Sequence, residues 1–134
     1  MNIEMRTLLM DKLFENSCVL AGRDGLTRSV KRISVFDCPC VPSSLEHKIF
    51  CEGDLFITCL EQFRDEVDDQ ALRFYLECQI QSGAAGLLVV TDDRIDLLTP
   101  GLLKMCDESR FPVVLIPEDY PYAAIIDTVH RYIT

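Results

Sequence analysis

The stretch Ala85-Gly86-Leu87-Leu88-Val89-Val90-Thr91 is apolar almost without interruption. A strand with one wet face alternates polar and apolar residues, so a continuous run of this length predicts a strand covered on both faces. Its neighbours agree. Before it, the spacing predicts a strand over 54–59 (Asp-Leu-Phe-Ile-Thr-Cys) and a helix over 65–82, with Asp65 as cap, Glu66, Asp68 and Asp69 at its positive end, and Gly83 at its stop. After it, Thr99-Pro100 opens a helix that ends before Pro112, and Val113 to Ile116 forms a second buried-type strand. A last helix starts near Pro121, with Tyr122, Ile125, Ile126, Val129 and Ile133 on one side, and reaches Thr134 with no stop signal. From residue 54 onward the order is β-α-β-α-β-α, which implies parallel strands joined by right-handed helical crossovers.

Two features of the 65–82 helix bear on assembly. One apolar stripe holds Val67, Ala71, Phe74, Tyr75 and Cys78; a second, Leu72, Leu76 and Ile80, lies on another side. Two stripes mean either wide burial or one core face and one subunit contact, and the second stripe is read here as an oligomer interface. On that reading, a charge at Leu76 would abolish assembly and leave the monomer folded.

The first third of the chain predicts a helix over 6–15, a strand over 17–22, a turn at Asp24-Gly25 and a strand over 30–36, the last two strands pairing around the turn as a hairpin. Residues 37–48, with Pro39, Pro42, Ser43 and Ser44, have no steady period. The expected class is therefore α/β: a single three-layer domain whose mixed sheet has a parallel β-α-β-α-β portion, flanked by helices and an N-terminal hairpin.

The 134 residues fit one domain, and 49% hydrophobic with 26% charged residues is a globular balance. No apolar run is long enough to span a bilayer and no secretory leader is read at the start, so a cytoplasmic protein is expected. A net charge of −9 opposes contact with phosphate backbones. The imbalance is regional: residues 1–36 hold six basic and four acidic groups, so the rest carries all of the negative excess. Seven cysteines without framework spacing fit a reducing compartment, with Cys18, Cys59, Cys78 and Cys106 as small apolar residues. Cys38, Cys40, His47 and Cys51 are the one set to weigh for zinc, but a C-x-C pair is not the usual spacing and no matching second pair follows. Neither His47 nor His130 has a catalytic setting, no nucleophile-elbow, phosphate-loop or zinc-protease motif is present, and Asp92-Asp93 reads as a solvated loop rather than a magnesium site. Neither an enzyme nor a cofactor is expected.

Several passages in order carry a resemblance: Thr7-Leu8-Leu9; Val19-Leu20-Ala21-Gly22; Gly25-Leu26-x-Arg28-x-Val30; Ile33-Ser34-Val35 with Asp37 and Pro39; Glu52-Gly53-Asp54-Leu55-Phe56-Ile57-Thr58; Gly83-Ala84-Ala85-Gly86-Leu87; and Phe111-Pro112-Val113-Val114-Leu115-Ile116-Pro117 followed by Pro121-Tyr122-x-x-Ile125-Ile126. Over residues 1–134 the chain resembles the N-terminal domain of purine catabolism regulator (PucR)-type bacterial transcription factors. That resemblance implies a signal-input module in a homo-oligomer, a small effector such as a nitrogen or purine-breakdown metabolite, and a DNA-binding helix-turn-helix elsewhere in a longer protein. The unfinished last helix fits a chain that continues. The sequence departs from the family where a second Thr and a Gly usually follow Thr58, since Cys59-Leu60 stand there, and at Cys38-Pro39-Cys40.

Pockets in α/β sheets form at the carboxyl ends of strands. Those ends offer Thr58, Thr91, Asp92 and Glu118, while Arg28, Arg32 and Asp37 lie on or near the expected hairpin. An arginine there can hold a carboxylate or ureido oxygen through its planar fork; equally, Arg28 can brace a turn or form a surface ion pair. A ligand-free dimerisation or docking domain is the alternative function, with a small thiol- or metal-dependent enzyme behind it.

Overall fold

The run at 85–91 becomes the middle strand of the sheet. In the computed structural model, which describes residues 2–36, 50–66, 68–117 and 120–133, the strands in chain order are β1 (Ile3–Glu4), β2 (Cys18–Ala21), β3 (Ser29–Val30), β4 (Arg32–Val35), β5 (Asp54–Thr58), β6 (Gly86–Val90) and β7 (Val113–Ile116). The helices are α1 (Met5–Leu8), α2 (Gln70–Ser82), α3 (Pro100–Glu108) and α4 (Tyr122–Ile133). The main sheet runs β2-β7-β6-β5-β4, with β4 to β7 parallel and β2 antiparallel at one edge. Every residue of β5 and β6 is buried, as a strand covered on both faces requires.

Because β4 to β7 are added one after another in a single direction, right-handed crossovers put α2 and α3 on the same face. There Leu72, Tyr75, Leu76, Leu102 and Cys106 pack on Phe56, Leu87, Val89 and Val113. The opposite face buries Leu55, Ile57, Leu88, Val90, Val114 and Ile116 under Met5 and Leu8 of α1 and Ile125 and Val129 of α4. The result is the mixed, three-layer α/β sandwich expected from the sequence.

The pairing of residues 17–22 with 30–36 does not form. β2 pairs with β7, and β4 pairs with β5 at the far edge, so the chain crosses beneath the sheet between Ala21 and Arg32. The antiparallel partner of β3 is β1 instead. Asp24-Gly25 is a turn, as its residues demand, but it lies in a tightly packed crossing. A Cβ at Gly22 would stand 2.0 Å from the Phe111 carbonyl oxygen, and one at Gly25 would stand 1.9 Å from that of Arg110.

Two helices are shorter than their periodicity. The 6–15 helix stops at Leu8, and a separate turn at Lys12–Phe14 begins where the Asp11 carboxylate accepts the Leu13 N–H (2.9 Å). Side chains of this type compete with helical bonding in that way. Likewise α2 begins at Gln70 rather than 65, because Glu61–Phe63 forms its own turn and Asp68 accepts the Gln70 N–H (3.0 Å). Gly83 closes α2 at φ +80°, as expected of a glycine stop. Cys78 and Cys106 are buried, and burial pushes the Cys106 thiol up to about 12; Cys18, by contrast, is exposed at the sheet edge.

The second stripe of α2 is core. Leu76 is 0% exposed and Leu72 2%, and Ile80 packs partly buried against the same cluster, because α2 packs on the sheet beside α3. Wide burial therefore replaces the subunit-contact reading for Leu72 and Leu76. Leu76→Ala should destabilise the monomer by about 3 kcal/mol in urea unfolding, and Leu76→Asp should leave no folded monomer by circular dichroism.

α4 is tied back to the N-terminal segment where the Tyr132 hydroxyl donates to Asp11 Oδ2 (2.7 Å). The Leu13 N–H first, and then Tyr132, hold the Asp11 carboxyl below its ordinary value. A depressed carboxyl stabilises the fold above its unfolded value and loses that contribution as pH falls through the folded one. The stability gap between the wild-type chain and Asp11→Asn should accordingly narrow as pH drops below about 4, measured by denaturant titration.

Candidate functional site

The carboxyl ends of β5 and β6 are organised by threonines. Thr58, buried at the last position of β5, accepts the Leu60 N–H (3.1 Å) and donates to Gln62 Oε1 (3.4 Å). Between them the chain turns through Leu60 at φ +64°, a left-handed conformation that favours glycine. Leu60 is kept there by a side chain fully buried in the α2–α3 core. Gln62 Nε2 then donates to the Phe36 carbonyl (3.1 Å), which also accepts the Tyr75 hydroxyl (3.0 Å), so the turn after β5 is fastened to the end of β4.

At the end of β6, Thr91 Oγ1 accepts the backbone N–H groups of Asp93 (3.3 Å) and Arg94 (3.1 Å). That fold-back sends Arg94 across to the β5 turn. Its Nη2 meets Glu61 Oε2 at 2.5 Å, and its Nη1 reaches the Cys59 carbonyl at 3.4 Å. Arg64 Nη2 binds the same Glu61 oxygen at 2.6 Å. Arg94 Nε is buried and has no acceptor among the described residues.

Two adjoining clefts open beside this bridge, sharing Asp96 and Leu97. One, about 330 Å³, lies between the N-termini of α2 and α3, with Phe63, Leu72 and Leu97 as apolar wall and Glu66, Asp68, Asp69 and Asp96 as carboxylates. The positive helix ends offset part of that charge. Its rim is held by Thr99, whose hydroxyl donates to Asp69 Oδ2 (3.0 Å) while accepting the Leu102 N–H (3.3 Å). The other cleft, about 450 Å³, is lined by Arg64, Asp93, Arg94, Asp96 and Leu97.

The structure divides the candidate residues read from the sequence between two ends of the sheet. Thr58 and Thr91 stand at the carboxyl end and build its turns; Asp92 is exposed beside them. Arg28 and Arg32 stand at the opposite end. Arg32 makes a two-point bond to buried Asp54, Nε to Oδ1 and Nη2 to Oδ2, both 2.7 Å, and Asp54 also accepts the Cys51 N–H. Arg28 donates to the carbonyls of Arg110 (2.9 Å), Ala84 (2.9 Å) and Ser109 (3.1 Å), and burial lowers its guanidinium from the ordinary value. It braces backbone. Asp37 and Glu118, and with them Cys38, Cys40 and His47, lie outside the described residues. The residues that do converge at the carboxyl end, Glu61, Arg64 and Arg94, were legible only as charged positions within a few residues of two strand ends.

Removing the Arg28 brace with Arg28→Ala should destabilise the chain by about 3 kcal/mol, with Arg28→Lys recovering less than half, since one ammonium cannot span three carbonyls. Urea unfolding of the two variants measures both.

The sequence matches the purine catabolism regulatory protein-like family over residues 7–133. A curated relative, the purine catabolism regulatory protein of Bacillus subtilis (strain 168), is 24% identical over 120 residues, which are 90% of this chain and 21% of that protein. The chain thus spans a minor part of its relative's length. Among solved structures, the CBS and DRTGG domains of the regulatory region of Clostridium perfringens pyrophosphatase, complexed with its activator diadenosine tetraphosphate, superpose with a TM-score of 0.54 over 98% of this chain and 50% of that one. At 14% identity that likeness is one of fold. The chain belongs to the purine catabolism regulatory protein-like family.

Proposed function

We propose that this chain is a signal-input domain of a transcriptional regulator, binding a small metabolite at the carboxyl end of its parallel strands. The observation that carries this reading is the pair of clefts there, one with an apolar wall and both lined by convergent charged groups, in a chain of a regulator family. The C. perfringens regulatory region, half of which shares this fold, was solved with a nucleotide activator, which supports an effector-binding role. A nitrogen or purine-breakdown metabolite is the class to test first. The domain is expected to work in a homo-oligomer, away from DNA, whose phosphates its net charge of −9 opposes. No helix among the described residues is long and apolar enough to cross a membrane.

An effector can switch such a domain only by preferring one of two arrangements, because equal affinity for both shifts nothing. A thermal-shift screen of nitrogen metabolites is the test. A true effector at one hundred times its Kd should stabilise the chain by about 2.7 kcal/mol; a broad screen without a shift would overturn the sensing role and leave a ligand-free docking domain.

A further inference from the structure

Arg94 and Arg32 make an internal comparison. Each presents a carboxylate to the Nε/Nη2 edge of its guanidinium. At Arg32 both donors are used, at 2.7 Å each. At Arg94 only Nη2 is used, by Glu61, and the Nε–H is buried without an acceptor among the described residues. A buried donor left unmet is unfavourable, and the side-on edge is the part of arginine best matched to a planar carboxylate. Glu61 is a poor tenant for that edge. It is 48% exposed, and the single oxygen it offers Arg94 is shared with Arg64. Arg94 itself, at 22% exposure, is also held through Nη1 by the Cys59 carbonyl, so it stays in place if Glu61 leaves.

The cleft that Arg94 helps to line is charge-balanced: it holds two guanidiniums, Arg64 and Arg94, and two carboxylates, Asp93 and Asp96, with Asp93 Oδ1 3.6 Å from Arg94 Nη1. A simple anion would meet two carboxylates and a simple cation two guanidiniums. A ligand with both charges satisfies both. We propose that this cleft takes a small zwitterion, its carboxylate displacing Glu61 on the Nε/Nη2 edge of Arg94 and its ammonium facing Asp93 and Asp96. The inference rests on the sensing reading above and names the ligand class for that same end of the sheet.

Calorimetric titration of this chain with alanine, β-alanine and γ-aminobutyrate, alongside acetate and methylammonium, tests it. At least one amino acid should bind better than either single-charge control. Arg94→Lys should weaken it at least about tenfold, and Glu61→Gln, which removes the competing charge, should tighten it about tenfold. Asp96→Asn should weaken the amino acid and leave acetate unchanged. Unchanged affinities in Arg94→Lys and Glu61→Gln, or acetate binding as well as the amino acids, would overturn the proposal. Should Arg94→Lys fail to fold, Glu61→Gln decides alone, since its side chain is half exposed. If nitrogen metabolites stabilise the chain but no amino acid binds, this inference falls and the sensing role stands; if nothing in either panel binds, both fall.

Discussion

The fold hangs on one guanidinium and the crossing it secures. Between Ala21 and Arg32 the chain must pass from one edge of the sheet to the other, because β2 pairs with β7 and β4 with β5. The crossing runs under the amino ends of β7 and β6, and Arg28 fastens it there by donating to Ala84, Ser109 and Arg110. Gly22 and Gly25 let the backbones approach within distances no Cβ would allow. Arg110 adopts φ +54°, a conformation unfavourable by about 1–2 kcal/mol for a residue with a side chain, and its carbonyl is one of those that Arg28 holds. With the crossing fixed, β4 reaches the open edge of β5, and α4 has a surface to lie on.

The two ends of the sheet thus differ in kind. At the amino end the charged groups are consumed by structure: Arg28 on carbonyls, Arg32 on Asp54. At the carboxyl end, threonines shape the turns, and the charged groups meet one another at the surface through Glu61. The turn that carries Glu61 also carries Gln62, which holds the Phe36 carbonyl at the end of β4. A ligand that moved Glu61 would therefore act on the neighbouring strand through a single short turn, which is the kind of link a regulatory domain needs.

Much of this architecture was legible in the sequence, and the failures share a cause. The run at 85–91 read correctly as a doubly covered strand because burial on both faces removes alternation, a local property. Thr99-Pro100 and Gly83 marked helix ends by local chemistry. The partner of 17–22 could not be read that way: adjacency around Asp24-Gly25 suggested a hairpin, whereas pairing is decided by β7, more than ninety residues on. The same holds for Arg28, whose three acceptors are 56 to 82 residues distant. Leu72 and Leu76 looked surplus to one helix face because the sequence does not show that α2 is flanked by both a sheet and α3. The Glu61–Arg64–Arg94 bridge joins two loops after different strands, so no single stretch announces it.

The most direct measurement is amide chemical-shift mapping of this chain with the compound that stabilises it. The account predicts shifts grouped on residues 58–64 and 91–97, with Arg28, Ala84 and Ser109 unmoved. Shifts centred on Arg28 and its three carbonyl partners, with residues 58–64 and 91–97 silent, would contradict it.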